Sequence, residues 1–301
     1  KKMQQLGYND ITAIVTVADD GSSSGRLREE FDIFAVGDLR NVLVSLSEVE
    51  PLIEDLLQYR FVTDSSLNNH PMGNLLLTAL YNITGNLTES LRSLSKIFNI
   101  KGTILPFTEE NPVLIAHTTD GKIIEGESNI TKAGKEIDYI EYKNEVKPTK
   151  EVIKAIDEAD LIIFGIGSLY TSIIPNLLSK EVVESLKNSK AKKMYVCNIM
   201  SEHGETDNYK VSDCIKKINS YVKEDLMDVV VVNNKKVPDD IKERYLGETA
   251  GQIDIDYDVL NDMNVEIIED ELLYISEKKK VRHDPYRTAL AIFNYIVKEL
   301  K

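Results

Sequence analysis

The 301-residue chain is 42% hydrophobic and 29% charged, ordinary proportions for a globular protein and enough chain to bury a sizeable core. Fifty acidic against 36 basic residues leave a formal charge of -14, a field that disfavours DNA, RNA and anionic membranes as general partners. No apolar run approaches the roughly 20 residues of a membrane span, no signal peptide opens the sequence, and the two cysteines, Cys197 and Cys214, are too few for a disulfide framework or a zinc site, so free thiols in a reducing, cytoplasmic setting are expected.

Lys1–Gly7 reads as the end of a helix that runs directly into a strand. That is an unusual opening for a doubly wound fold, so a leading strand and loop are expected to lie outside this sequence. Ile11–Val17 is a continuous β-branched run, the pattern of a strand buried on both faces. A helix is expected from about Arg26. Apolar residues at Leu39, Val42, Leu43 and Leu46 give Asp38–Glu48 a helical period, and Leu52–Tyr59, Asn74–Ile83 and Leu87–Phe98 continue it, with Gly85 as a stop. Thr103–Phe107, Val113–His117 and Lys122–Gly126 read as short strands, the last two joined by an Asp120-Gly121 turn. The stretch 102–148 is therefore expected to be a small antiparallel β excursion. Helix and strand then alternate: helix Lys150–Ala159, strand Leu161–Gly165, helices Ile173–Leu178 and Val182–Asn188, strand Lys193–Ile199, helix Val211–Val222, strand Val229–Asn233 and helix Asp239–Leu246. Val265–Ile268 and Leu272–Ser276 are strand-like, and helix Pro285–Leu300 closes the chain. The repeated units predict a three-layer, Rossmann-like, doubly wound and mostly parallel sheet, here a single α/β domain over 1–301.

Ligands of such sheets collect at the carboxyl ends of the strands, so the turns there are the candidate sites. After the first strand come Asp19, Asp20, Gly21, Ser22, Ser23 and Ser24, then Arg26. Glycine and serine suit a phosphate, and the aspartates suit either Mg²⁺ or sugar hydroxyls; a capped flexible turn is the plain alternative. Asp38, an N-cap by type, stands with Arg40 and Asn41 at one helix start, where an anion could be held. His70, with Gly73 and Asn74 behind it, is a general acid, a ligand contact or a solvated loop histidine. The strongest candidate is Gly165, Gly167, Ser168, Thr171 and Ser172, where a buried strand meets glycines, hydroxyls and a helix start. It is neither a Walker A loop nor G-x-G-x-x-G. Asn198, Gly204, Glu205 and Thr206 follow a further strand, and Arg282 precedes the last helix as a phosphate clamp. No nucleophile elbow, H-E-x-x-H or paired C-x-x-C is present, so nothing argues for hydrolase, zinc or redox chemistry.

The run Asp-Ile-Thr-Ala-Ile-Val-Thr-Val-Ala-Asp-Asp-Gly-Ser-Ser-Ser-Gly-Arg-Leu-Arg at 10–28 closely resembles the gluconeogenesis factor family, also called YvcK or GlmR. That family shares a superfamily with CofD, the 2-phospho-L-lactate transferase. Gly-Asp-Leu-Arg-Asn (37–41), Met-Gly-Asn-Leu-Leu-Leu (72–77), Gly-Glu-Ser-Asn-Ile (126–130), Gly-Ser-Leu-Tyr-Thr-Ser-Ile-Ile-Pro-Asn-Leu-Leu (167–178), Gly-Glu-Thr-Asp (204–207) and Arg-His-Asp (282–284) carry the resemblance through nearly the whole chain. The family's opening strand and Gly-Gly-Gly-Thr-Gly-Leu-Ser loop have no match here. Ser22 stands where the family has Gly, and Asn-His-Pro-Met-Gly-Asn (69–74) where it has Gly-His-Ser-Leu-Gly-Asn. The resemblance implies a regulator that binds UDP-sugars such as UDP-N-acetylglucosamine. It would act through protein partners in cell-wall precursor supply and cell shape on gluconeogenic carbon, and it implies Tyr245 and Arg282 as residues that hold the ligand. The alternative is a CofD-like transferase acting on a nucleotide-activated phospho-acid, with Mg²⁺ on Asp19 and Asp20. Self-association as a homo-oligomer is left open.

Overall fold

The structure is a computed structural model that describes residues 10–47, 51–246 and 250–299. The helical reading of Lys1–Gly7 lies outside the described residues, as do the ends of two expected helices at Glu48 and Leu300. Eleven strands and twelve α-helices follow one another along the described chain.

Parallel pairing dominates, as the alternating units require. Strand β1 (Thr12–Val15) pairs with β2 (Thr103–Pro106). A second parallel sheet has the order β6 (Leu161–Phe164), β7 (Lys192–Val196), β8 (Val229–Asn233), β9 (Glu266–Asp270). Two small antiparallel sheets complete the set, β4 (Ile123–Glu125), β3 (Leu114–Thr118) and β5 (Ile137–Tyr142), and the hairpin of β10 (Leu273–Ile275) with β11 (Val281–His283).

This corrects the sequence reading in two places. The strand at Thr103 belongs to the parallel sheet beside β1, so the antiparallel excursion is narrower than 102–148 and spans β3 to β5. It also gains a short helix, α6 (Glu127–Ala133), and a third strand that an apolar-run criterion passes over, because Asp138 and Glu141 interrupt the apolar residues of Ile137–Tyr142. The expected Asp120-Gly121 turn is present, with Gly121 at φ 80° and Lys122 donating back to Thr118 Oγ1.

Helices cover both faces. Alternate side chains of one strand reach different cores, the period of 2 at work. In β8, Val229 and Val231 pack with Met194, Val196 and Ile292 of α12 (Pro285–Glu299), while Val230 and Val232 join the other side. That other side is one continuous apolar cluster. It runs from Leu105 of β2 through Leu114 and Ile140 to Val152 of α7 (Lys150–Asp157), Leu186 of α8 (Lys180–Asn188) and Ile215 of α9 (Val211–Val222). On the first face the core is divided. Val15 and Ile104 pack with α1 (Ser22–Phe31), α2 (Gly37–Leu46), α4 (Met72–Thr84) and α5 (Leu87–Ile97), separately from the cluster under α12. The helix α3 (Pro51–Gln58) buries only Leu57.

Cys197 and Cys214 are free, buried and adjacent, with Tyr195 packed against them. No helix among the described residues is long and apolar enough to cross a membrane.

Candidate functional site

A cavity of about 1600 Å³ opens between β1 and β6. Its rim gathers residues from five separate stretches. Asp38 and Asn41 come from the first turns of α2, and Gly165, Gly167, Ser168 and Ser172 from the turn after β6. Asn198 follows β7, Tyr245 lies in α10 (Asp239–Leu246), and Arg282 lies in β11.

The turn after β6 is built on an unusual helix. Leu169–Ile173 is a π-turn and Ile174–Leu177 a 3₁₀ turn, where the sequence suggested a loop to Ser172 and then a helix over Ile173–Leu178. The first turn is wide: Ser172 N and Ile173 N both donate to Ser168 O. The turn is held from outside. Asn198 Nδ2 donates to Gly167 O at 3.0 Å. Glu205 accepts from Tyr170 N at 3.0 Å and from Thr171 Oγ1 at 3.4 Å. Burial, with Glu202 nearby, raises the Glu205 carboxyl to about 8, so it is mostly protonated at neutral pH.

Tyr245 and Arg282, far apart in sequence, meet here. Val281 N donates to Tyr245 Oη at 3.0 Å, which places the arginine next in chain at the same rim. Arg282 donates to its neighbour's carbonyl, Val281 O, and no ion pair engages it among the described residues. His283 Nε2 donates to Cys197 O at 3.0 Å and locks β11 against the tip of β7.

The loop after β1 is placed differently. Asp19, Asp20, Gly21, Ser23, Ser24 and Arg26 do not line the cavity; the side chain of Ser22 lies outside the described residues. Asp19 Oδ1 accepts from Gly21 N, and Asp20 Oδ1 from Ser128 N at the start of α6. Ser23 Oγ hydrogen-bonds His70 Nδ1 at 2.8 Å and accepts from Asn74 Nδ2 at 3.1 Å, all three residues being buried. His70 is thus neither solvated nor at the cavity, and burial, aided by Arg26 and Arg60, lowers its pKa. Arg26 straps the loop before α4 through Ser66 O and Asn68 O. Arg40 is buried too, and Gly73 makes room for it: a Cβ on Gly73 would stand 2.8 Å from Arg40 Cγ and from Leu57 O.

The β1 loop packs against the start of α2. A Cβ on Gly37 would lie 2.9 Å from Asp19 Oδ2 and 2.7 Å from Ser24 Oγ, so only glycine lets the helix that carries Asp38 approach. Asp38 sits inside the first turn, behind Val36 as the N-cap. Burial first, then Asp19, raises its pKa. Glu127, which the sequence reading did not single out, completes an acidic cluster. Burial and the charges of Asp19, Asp20 and Asp38 lift it to about 7. No group of three or more His, Cys, Asp or Glu is arranged to hold a metal among the described residues. One oxygen of Asp19 and one of Asp20 are already taken by backbone amides, so the pair offers Mg²⁺ little beyond charge.

Thr171, Gly204, Glu205 and Thr206 also lie away from the cavity. Their work is beneath the turn: Thr206 Oγ1 accepts from Glu202 N, and Gly204 packs against Gly134. Two contributors escaped single-residue reading. Asn176 lines the cavity with a buried Oδ1 that no hydrogen bond among the described residues satisfies, and Arg28 ties the first loop down through Ala18 O, Asp19 O and Pro112 O. Asn176 and Glu127 both fall in segments that carry the family resemblance, which was the available signal.

Parallel sheets flanked by helices, with a cavity between β1 and β6 whose rim at their carboxyl ends is polar, define a Rossmann-like α/β protein. A family model described as 2-phospho-L-lactate transferase CofD matches residues 1–273. The chain belongs to this family and, within it, to the gluconeogenesis factors. It is 44% identical over 281 residues to the gluconeogenesis factor of Bacillus subtilis, covering 93% of this chain and 88% of that one. Its match to the gluconeogenesis factor of Halalkalibacterium halodurans is 42% over 283 residues, with 94% and 88% covered. The crystal structure of protein BH3568 from Bacillus halodurans superposes with a TM-score of 0.90 at 42% identity, covering 94% of this chain and 91% of that one.

Proposed function

We propose that this gluconeogenesis factor binds a UDP-sugar, UDP-N-acetylglucosamine in the first instance, at the rim of the crevice and acts as a regulator of cell-wall precursor supply and cell shape. The observation that carries this is the meeting of Arg282, unengaged by any carboxylate among the described residues, with Tyr245 and the Gly165–Ser172 turn around one cavity. A guanidinium can take a diphosphate bidentately, and an aromatic ring can stack on a base or sugar. Backbone N–H groups at the turn suit phosphate oxygens. In a chain of charge -14, such local cationic and amide donors are what a diphosphate needs.

A transferase reading is favoured by one observation, the acidic group of Asp19, Asp20, Asp38 and Glu127 beside the rim. Like charges at close range raise one another's pKa, and a cation brought with the ligand would relieve that repulsion. Calorimetric titration with UDP-N-acetylglucosamine, with and without Mg²⁺ and followed by product analysis, tests both. Binding without turnover supports the regulator. Product formed only with Mg²⁺ replaces it with the transferase, and no binding in either condition removes the UDP-sugar.

A further inference from the structure

The β10–β11 hairpin presents two unlike faces. On one, Leu273 and Val281 join Ile199, Met200, Val237 and Ile241 in a small apolar cluster. Tyr245 packs its ring against that cluster, and its Oη accepts from Val281 N at 3.0 Å. Ring and hydroxyl of Tyr245 are thus both committed to holding β11. The alternation of a strand turns the next residue of each, Tyr274 and Arg282, to the opposite face. They are direct partners in the antiparallel register, and side chains opposed in this way stand side by side, with Cβ atoms about 5 Å apart. Tyr274 is 47% exposed, and no hydrogen bond or aromatic contact engages its side chain among the described residues. Arg282 is exposed as well and has no carboxylate partner among them. A large ring held in water beside a guanidinium is a ready surface for a planar group that carries phosphate.

We infer that Tyr274 is the ring on which the base of the UDP-sugar stacks, and that Tyr245 is a positioning residue that acts through Val281 on Arg282. The stack rests on the UDP-sugar reading and gives that ligand a direction: the diphosphate at Arg282, the uracil over Tyr274 on the outer face of the hairpin, and the sugar at the rim of the cavity. The chemistry of the two ends sets this direction. Uracil is flat and gains from an aromatic face without needing a hydrogen-bond partner. N-acetylglucosamine is edged with hydroxyls and an amide, which suit the side chains of Asn41, Ser168, Ser172 and Asn198 that line the cavity with Arg282. Tyr274 itself does not line the cavity, so the base lies over the hairpin and not between β1 and β6.

Calorimetric titration with UDP-N-acetylglucosamine, paired with saturation-transfer NMR on the bound ligand, tests this on the 301-residue chain. In the wild type the uracil H5 and H6 protons are expected to receive strong saturation. Tyr274→Ala should raise Kd by about tenfold or more, the worth of one base stack. It should also lower the uracil signal relative to the N-acetyl methyl signal, while the denaturation midpoint stays in place. Tyr274→Phe keeps the ring and should keep both affinity and ratio. Tyr245→Phe keeps its ring but loses the bond to Val281 N; it should weaken binding several-fold and lower the denaturation midpoint, with the uracil-to-acetyl ratio unchanged. Wild-type binding with Tyr274→Ala equal in affinity, or weaker with the ratio unmoved, overturns the stack and leaves the UDP-sugar reading standing. A ratio that falls in Tyr245→Phe and not in Tyr274→Ala returns the stacking to Tyr245. A wild-type chain that binds no UDP-N-acetylglucosamine removes the UDP-sugar reading, and the stack with it.

Discussion

The turn after β1 and the turn after β6 look alike as sequence. Each leaves an apolar strand, passes through glycine and serine, and enters a helix. Their surroundings differ. The β6 turn is braced from below by Glu205 and Asn198 and turns Gly165, Gly167, Ser168 and Ser172 toward the crevice. The β1 turn has its own side chains consumed in internal bonds, Asp20 to Ser128 N and Ser23 to His70 and Asn74. A polar loop at a strand end is therefore available for ligand only where something else satisfies its supports.

The comparison can be broken at several points. The largest effect is expected at Glu205. Its folded-state pKa of about 8 lies above the ordinary 4.5, so the folded chain binds the proton more tightly. That stability is full below about pH 4.5 and is lost as pH rises toward 8. Glu205→Gln should flatten this decline, by on the order of 3 kcal/mol across the window, read from denaturant midpoints at pH 5, 7 and 9. An unchanged pH profile would mean the carboxyl does not brace the turn as a protonated group.

Next is Arg282→Ala. It should weaken UDP-N-acetylglucosamine by about 1.5–3 kcal/mol in a calorimetric titration, the worth of a charged hydrogen bond, without moving the denaturation midpoint. An equal affinity would remove Arg282 from the site. Ser23→Ala inverts the pattern. It leaves His70 Nδ1 and Asn74 Nδ2 unpaired and should cost about 1–3 kcal/mol of stability, with ligand affinity unchanged. If affinity falls instead, the β1 turn does face ligand. The smallest effect on folding is Gly165→Ala, since a Cβ there meets nothing within 4 Å. Stability should shift by less than about 0.5 kcal/mol. A loss of affinity in that variant would show close approach of the ligand to the backbone.

Periodicity made most of this fold legible. The runs at Val229 and Lys193 announced parallel core strands, and the Asp120-Gly121 turn announced its hairpin. What escaped depended on partners distant in the chain. Thr103–Pro106 reads as any short strand, and only its pairing with β1, about 90 residues away, makes it parallel. The π-turn at Leu169–Ile173 falls in a stretch that reads as a loop, and the Glu205 bond to Tyr170 N that holds it comes from 35 residues away. Of the candidate site, the rim residues Gly167, Asn198 and Arg282 were readable from position after or beside strands. Whether His70 or Thr171 pointed in or out was not, since a hydroxyl or imidazole serves a ligand and a core network with the same chemistry.

The two thiols give the molecule an internal gauge. Cys197, at the tip of β7, meets Cys214 of α9, and the contact with that thiol together with burial holds the Cys197 thiol protonated well above its usual range. Since the thiolate is the reactive species, an alkylating reagent finds no target while β7 and α9 remain packed. The rate at which iodoacetamide labels these positions then counts how often that junction parts.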